Sequence, residues 1–239
     1  MYRQPSYRKR FRPLRLLWRI ISFFVWLWAL SVPLVLLLRF VPPPTTSFML
    51  QAAVRNGPYA YRWQPYSQIS PEMALAAIAA EDQRFPAHSG FDVEAINAAL
   101  RDAESGASLR GASTITQQVA KNLFLWPGRS FVRKGIEAWL TILIELMWNK
   151  QRILEVYLNI AQFSDRTFGV EAASQQFFQI SATALTPEEA ALLAAVLPGP
   201  ELYSVASPDW EMLDRQGWIL TQMNQLGGTA YLQRLQEGS

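Results

Sequence analysis

The feature that most constrains this chain is an uncharged apolar run of 19 residues, Ile20–Leu38. A helix rises about 1.5 Å per residue, so the run reaches roughly 28 Å, close to the hydrocarbon thickness of a bilayer. We therefore predict one transmembrane helix over residues 20–40. A cleaved signal peptide is the alternative, because Ala29-Leu30-Ser31 resembles a cleavage site, but a signal peptide does not need an apolar run that continues to Leu38.

Charge is segregated on the two sides of this run. Residues 1–19 carry seven basic side chains and no acidic one, whereas residues 41–239 carry 14 basic and 19 acidic side chains, a net charge of −5. The positive-inside rule predicts a basic cytoplasmic tail at 1–19. The remainder then lies on the periplasmic or outer side of a single-pass protein of the cytoplasmic (inner) membrane. Because the high isoelectric point belongs to the tail, no nucleic-acid partner is expected.

Residues 41–69 read as a linker followed by a short extended segment. Val41–Ser47 is rich in proline and threonine and is typical of an extended chain. Tyr59–Tyr66 alternates aromatic and other residues, which indicates a short strand. We therefore expect the folded domain to begin near residue 70 and to extend to residue 239.

Helical signals dominate the domain at 70–239. Ser70 precedes Pro71, which is a typical helix start. Thr186 precedes Pro187, and Glu189 lies three positions after Thr186, which is a second typical helix start. Phe131–Phe163 is apolar around so much of its circumference that we expect it in the interior. The fold class predicted from these patterns is mainly α.

A pair of carboxylates, Glu81 and Asp82, ends the alanine-rich apolar segment that starts at Ala74. A solvated acidic turn would explain the pair, but the dipole at a helix C-terminus disfavours acids. A carboxylate at the mouth of an apolar helix is partly desolvated, which raises its pKa toward general acid–base use. The single histidine, His88, is predicted to be structural and to hydrogen-bond a backbone group, since one histidine makes neither a triad nor a metal site.

The segment Arg110–Glu137 combines hydrogen-bonding and cationic side chains with an apolar patch, Leu123–Trp126. A polar helix face would hold the first two but not the patch. Cations beside apolar surface suit an amphiphile with a phosphate head and a lipid tail. Glu137 is a second candidate acid, whereas Glu145 and Glu155 are expected to be structural carboxylates with internal partners. The polar and cationic candidates are Ser113, Thr114, Gln117, Gln118, Lys121, Arg129, Arg133 and Lys134.

Five blocks of the sequence carry a resemblance to one enzyme family: AAEDQRFPAHSGFD, RGASTITQQVAKNLF, RSFVRKGIE, KQRILEVYLN and FGVEAAS. In order and spacing they resemble the signature blocks of the peptidoglycan glycosyltransferases, the enzymes that polymerise the lipid-linked cell-wall precursor. The resemblance covers residues 45–235. Because the K-T-G motif of an appended transpeptidase domain does not occur, we expect a monofunctional member.

The resemblance implies a lysozyme-like fold with two lobes, and it implies a role for Glu81. In such enzymes this glutamate is the general base that takes the proton from the sugar 4-hydroxyl of the acceptor. The acceptor is the undecaprenyl-pyrophosphate disaccharide-peptide. The freed oxygen attacks the growing glycan, undecaprenyl pyrophosphate leaves, and the configuration inverts to a β-1,4 linkage.

The resemblance also assigns the remaining candidates and the partners. It implies that the cations Lys121, Arg129, Arg133 and Lys134 hold the leaving pyrophosphate, and that Glu137 assists there. A divalent metal, Mg²⁺ or Mn²⁺, is an expected helper, although a strict requirement is not implied. Leu123–Trp126 would dip into the membrane, and other cell-wall synthases are candidate partners. The residues expected to position sugars and phosphates are Asp82, Ser113, Thr114, Gln117 and Gln118.

Two other classes stay open beside this one. The first is a hydrolase or lytic enzyme on the same lysozyme-like fold, where a lone glutamate also acts as general acid. It would need neither the pyrophosphate-binding cations nor the lipid-contacting patch. The second is a catalytically silent, membrane-anchored scaffold, which would be expected to lack Glu81 or Glu137, and both are present. The fold by itself does not decide among the three classes.

Overall fold

The computed structural model describes residues 13–104, 113–128 and 130–237. Its first element is helix α1, Pro13–Leu38, of which Leu17–Leu38 is long and apolar enough to cross a membrane. The predicted helix over the apolar run is therefore confirmed as a helix. It begins earlier than expected, inside the segment interpreted as a basic tail, because Pro13 suits the first turn of a helix.

The remainder of the described chain is mostly helical, which confirms the mainly α prediction. Two short strands that flank a turn, β2 and β3, pair antiparallel, and β3 also pairs in parallel with β1, giving the order β1-β3-β2. The strands are β1 Ala60–Tyr61, β2 Gln162–Ser164 and β3 Thr167–Phe168. The helices are α2 Ser47–Asn56, α3 Pro71–Glu81, α4 Val93–Glu104, α5 Ile115–Phe124, α6 Phe131–Met147, α7 Lys150–Ile160, α8 Val170–Phe178, α9 Pro187–Val196, α10 Trp210–Gln225 and α11 Arg234–Glu237.

The segment at 41–69 contains more structure than a linker. The short strand predicted in Tyr59–Tyr66 is present as β1, but α2 was not predicted. Thr46 caps α2 by accepting a hydrogen bond from the backbone N–H of Met49 at 3.1 Å. Met49 is fully buried, and α2 packs on α5. The middle of the segment predicted as a linker and short strand therefore forms a helix that packs on the domain.

Helix α3 forms the centre of the core. Its residues 73–79 are all buried, and four of the seven are alanines, so α9 and α10 can approach it closely. Both predicted helix starts are confirmed. Ser70 accepts from the backbone N–H of Glu72 at 3.3 Å, and Thr186 and Glu189 form a reciprocal capping box on α9. With its start fixed in this way, α3 ends at Glu81, on the wall of a cavity.

The prediction that Phe131–Phe163 is interior is wrong for one face of α6. The side chains of Phe131 and Leu146 are 98% and 77% exposed. The helical segment is also interrupted at Trp148, between α6 and α7. Asn149 caps the start of α7 by accepting a hydrogen bond from the backbone N–H of Arg152. Part of the apolar surface of α6 packs on α1 and not on the core. The sequence of α6 is therefore apolar on nearly every side, although one side of the helix is exposed.

Candidate active site

Glu81 lies at the C-terminal end of α3 on the wall of a cavity of about 700 Å³. Its side chain is only 13% exposed, and its Oε2 accepts a hydrogen bond from Nε2 of Gln118 at 2.7 Å. Burial raises the pKa of Glu81, while the Gln118 hydrogen bond and the cations Arg215 and Lys121 act in the opposite direction. A raised pKa makes a carboxylate a better proton acceptor, which suits a general base.

Asp82 points away from that cavity and into the start of α5. Its Oδ2 accepts from the backbone N–H of Ile115 at 3.0 Å, and its Oδ1 is 2.8 Å from Nε2 of His88. The partner of His88 is therefore a carboxylate, which corrects the prediction of a backbone group. An acid at a helix N-terminus stabilises the exposed N–H groups there, so Asp82 fixes the position of α5.

Thr114 and Gln117 complete the start of α5 with a capping box. The Thr114 hydroxyl donates to the carbonyl of Gly90 at 2.7 Å and also accepts from the N–H of Gln117, whose Oε1 accepts from the N–H of Thr114. Gly90 has a φ of +84°, and a Cβ there would lie 2.7 Å from a methyl carbon of Thr141, so glycine is needed. Like Asp82, both residues are buried and engaged within the protein.

Three of the predicted positioning and cationic residues do face the cleft. Ser113 and Gln118 line the cavity beside Glu81, and Gln118 and Lys121, one helical turn apart, line an adjoining cavity of about 310 Å³. Burial lowers the pKa of Lys121, and the carboxylates of Glu137 and Glu81 oppose that effect. The Lys121 ammonium therefore interacts electrostatically with both predicted catalytic carboxylates, Glu81 and Glu137.

Glu137 is buried in the first half of α6 and is bound by two cations of the same helix. Nη1 of Arg133 lies 2.9 Å from its Oε2, and Nζ of Lys134 is bonded to its Oε1. The Lys134 side chain is half-exposed, and Nε of Arg133 is buried without a hydrogen-bond partner. This cluster can present positive charge to an anion. Arg129, the fourth predicted cation, lies outside the described residues.

The patch predicted to contact lipid, Leu123–Trp126, is mostly internal. Leu123 and Leu125 are buried, and Trp126 is half-exposed. The apolar side chains that are exposed beside the cation cluster are instead Phe131 and Val132, at the start of α6. The amphiphilic character expected of this region is present, but different residues supply it.

The two carboxylates expected to be structural are paired, as predicted. Oε1 of Glu145 accepts from Nζ of Lys150 at 2.9 Å and from the hydroxyl of Thr116 at 2.5 Å, which ties α6 to α5. Oε2 of Glu155 accepts from Arg152 at 2.7 Å. Both pairs support the helices that carry the cleft residues.

The sequence interpretation missed several residues of the cleft. Arg215 and Trp218 on α10 line the cavity beside Glu81, and Tyr157 on α7 lines the adjoining one. The segment Pro198–Pro200, which follows α9, contributes to the lining of the adjoining cavity. Arg215 gave no signal because it lies among Glu211, Asp214 and other polar residues that resemble a solvated helix face.

Comparison with known proteins places this cleft in a family. Residues 51–224 match the family described as Transglycosylase. The chain belongs to the transglycosylase family. The matched range begins inside α2 and contains the site residues from Glu81 to Arg215. The prediction that this protein is an enzyme that transfers glycosyl groups is therefore confirmed.

Curated relatives of this transglycosylase are similar to it over almost its whole length. A protein of Pseudomonas fluorescens is 52% identical over 225 residues, which cover 92% of this chain and 94% of the relative. A protein of Stutzerimonas stutzeri is 54% identical over 226 residues, covering 92% and 93%. Both are named biosynthetic peptidoglycan transglycosylase.

Proposed function

We propose that this transglycosylase polymerises the glycan chains of peptidoglycan during cell-wall synthesis. In this proposal it transfers the growing lipid-linked glycan from undecaprenyl pyrophosphate to the 4-hydroxyl of the lipid-linked disaccharide-peptide, without a transpeptidase activity. The names of its relatives in Pseudomonas fluorescens and Stutzerimonas stutzeri support the substrate class. The arrangement of charges in the cleft supports the type of reaction.

The observation that carries the proposal is the placement of Lys121 between two carboxylates with different surroundings. Its ammonium interacts electrostatically with Glu81, beside a cavity, and with Glu137, inside a cation cluster. The groups around Lys121 therefore include both a base, Glu81, and the cations that are paired with Glu137. A single displacement with inversion needs this combination: a proton acceptor for the nucleophile and stabilisation for the departing anion.

Glu81 acts on the acceptor in the proposed step. Its carboxylate takes the proton of the 4-hydroxyl while that oxygen forms a bond to the anomeric carbon of the donor sugar. The bond from that carbon to the pyrophosphate oxygen breaks, and its electron pair leaves with undecaprenyl pyrophosphate. The α-linked donor becomes a β-1,4-linked product. Burial is the first cause of the raised pKa of Glu81, and a higher pKa makes the ionised carboxylate a stronger base.

The cation cluster acts on the leaving group. Negative charge grows on the pyrophosphate as the glycosidic bond breaks, and in this proposal Lys121, Arg133 and Lys134 stabilise it. Glu137 holds Arg133 and Lys134 in position through its two carboxylate oxygens. Arg129 is proposed as a further pyrophosphate ligand on the sequence resemblance.

Within the part of the chain that the structure describes, the side chains at the cleft do not fit a protein-bound divalent metal. Glu137, the carboxylate in the cation cluster, is already engaged by two cations. Elsewhere in the described chain Asp82, His88 and Asp92 lie together, but Asp82 is bonded to His88 and the N–H of Ile115, and Asp92 accepts from the N–H of Ala95. Mg²⁺ prefers free oxygen ligands. We therefore derive no step through a metal.

The proposed location is the cytoplasmic membrane, with α1 as a single-pass anchor. Length and composition allow α1 to cross a bilayer, and the basic residues before it favour a cytoplasmic N-terminus. The catalytic domain then lies on the outer side, where its lipid-linked substrate is presented. Other cell-wall synthases remain candidate partners.

The decisive experiment incubates the purified full-length protein in detergent with labelled lipid-linked disaccharide-peptide. The expected product is a polymer that muramidase cleaves. A hydrolase would release the disaccharide without polymer, and a silent scaffold would leave the substrate intact; either result would overturn the proposal.

A further inference from the structure

Arg215 reaches Glu81 from the opposite wall of the cavity. It lies on α10, and its Nη2 is 4.0 Å from Oε1 of Glu81. Met212 and Ile219, three residues before and four residues after it, are buried against the core. Gln222 on the same helix accepts a hydrogen bond from Gln83 near the end of α3, at 3.1 Å. The backbone that carries Arg215 is therefore fixed relative to the helix that carries Glu81.

Arg215 is not engaged by the acids of its own helix. Glu211 lies one turn before it and could form an i,i+4 pair, but its Oε1 accepts from the Tyr203 hydroxyl at 3.2 Å. Within the described residues, the ion pair within 4.0 Å that the structure gives Arg215 is the one with Glu81. Its Nε is buried and has no hydrogen-bond partner. A guanidinium that only solubilises a surface helix would not be arranged in this way.

The length of the Arg215–Glu81 contact separates two effects of a cation. A bidentate pair at about 2.8 Å would occupy the carboxylate oxygens and reduce their availability to a substrate proton. At 4.0 Å the guanidinium still favours the ionised carboxylate electrostatically and leaves Oε1 open to the cavity. Gln118 holds the other oxygen, Oε2.

We propose that Arg215 is a positioning residue for the base, one that keeps the Glu81 carboxylate ionised and directed into the cavity. This inference rests on the proposed function, in which Glu81 takes a proton. The other groups that face Glu81 are Gln118 and Lys121 from α5, Asp82 from the C-terminal end of α3, and Tyr157 from α7. Of the two cations, Arg215 is the larger influence on the pKa of Glu81.

The sign of the expected effect follows from these charges. Burial raises the pKa of Glu81, and Arg215 lowers it again. Removal of the guanidinium should therefore raise the pKa, so that a higher pH is needed to obtain the active carboxylate. An opposite charge nearby favours the ionised carboxylate, so the acid limb of the pH–rate profile should move to higher pH when Arg215 is replaced.

The test compares Arg215→Gln and Arg215→Lys with the wild type in the polymerisation assay, with kcat and KM measured from pH 5 to 9. For Arg215→Gln we expect the acid limb of kcat/KM to move to higher pH. The rate should fall about tenfold on the acid side and recover largely on the alkaline side. Arg215→Lys keeps the charge and should restore most of the acid limb. Arg55→Gln removes an exposed cation on α2 and serves as the matched control.

Two results would overturn the inference. One is an Arg215→Gln variant whose rate falls equally at every pH, which would indicate a substrate contact or a packing role. The other is an unshifted acid limb in both variants. Thermal melting of each variant detects loss of the fold, and Arg215→Lys keeps the test valid if Arg215→Gln is unstable. If the wild type itself forms no polymer, the proposed function fails instead, so the two failures are distinguishable.

Discussion

Glu81 combines two properties that a solvated acid lacks: its carboxylate is mostly buried, and one of its oxygens remains directed at a cavity. Glu81→Gln keeps the shape and the possibility of a bond to Gln118 but removes the base. We expect polymerisation to fall by about 10²–10⁴-fold, the usual loss when a general base is removed. Glu72→Gln, in the first turn of the same helix, should keep the wild-type rate. A Glu81→Gln enzyme that retained more than about a tenth of the rate would disprove this assignment.

His88 supports the site through Asp82 and does not contact the cavity beside Glu81. Its Nε2 bonds to Oδ1 of Asp82, whose other oxygen holds the N–H of Ile115. His88→Ala leaves this buried carboxylate oxygen without its partner, which should cost about 1 to 3 kcal/mol of unfolding free energy. Urea denaturation measures that cost. His88→Gln, whose amide can replace the ring N–H, should recover part of it; equal losses in both variants would contradict the role.

The success of sequence reasoning at individual positions depended on local contrast. Glu81 and Glu137 were identified because a carboxylate next to apolar helical residues is unfavourable unless it has a function or a partner. Both are buried beside charged partners. Arg215 was missed because nothing near it in the chain contrasts with it, and its function comes from a carboxylate 134 positions earlier in the sequence. Asp82 has no contact with the cavity because a neighbouring position in sequence can face the opposite side of the chain.

Helix α5 is the element that joins the two halves of the site, since Gln118 contacts Glu81 and Lys121 interacts with Glu137. Thr114 sets its start. Thr114→Ala removes an N-cap and should cost about 1 to 2 kcal/mol. Thr186→Ala removes the equivalent capping box of α9 and should cost a similar amount.

The two capping variants differ in their expected effect on turnover. Loss of the Thr114 cap loosens the helix that presents Gln118 and Lys121, so kcat should fall, whereas Thr186→Ala should leave kcat unchanged after correction for the folded fraction. Chemical denaturation gives the stability, and the polymerisation assay gives the rate. If both variants lost kcat equally, α5 would have no special role in aligning the site.

Capping patterns predicted helix starts well because they are local: Ser70 and Thr186 act within one turn of chain. The outer face of α6 and the existence of α2 were not predicted, because both depend on distant packing. Phe131 on α6 is exposed, although its segment reads as interior, while Met49 on α2 is buried by α5 from a segment that reads as a linker. Apolar periodicity shows which residues share one face of a helix, but it does not show which other element, if any, covers that face.

The C-terminal end of α1 is packed into the transglycosylase domain. Val35 and Leu38 of α1 are buried, Nε1 of Trp148 donates to the carbonyl of Val35 at 2.8 Å, and Nη2 of Arg152 donates to the carbonyl of Leu38 at 2.8 Å. A cation at the C-terminus of a helix stabilises its free carbonyls. The boundary of the domain therefore does not coincide with the end of the apolar run.

Two truncations separate membrane attachment from this packing. Removal of residues 1–30 takes away most of the apolar helix and keeps the buried end, whereas removal of residues 1–40 takes away both. Burial of a Val or Leu side chain contributes about 1.5 to 3 kcal/mol, so the longer truncation should lose about 3 to 6 kcal/mol more. For a domain of this size that corresponds to a decrease in Tm of roughly 6 °C or more. Both proteins are measured in the same mild detergent, by thermal melting and with a short-chain lipid substrate. The shorter truncation should keep its rate on that substrate because Arg152 and Trp148 keep their partners. Equal melting temperatures for the two truncations would mean that α1 is a tether alone.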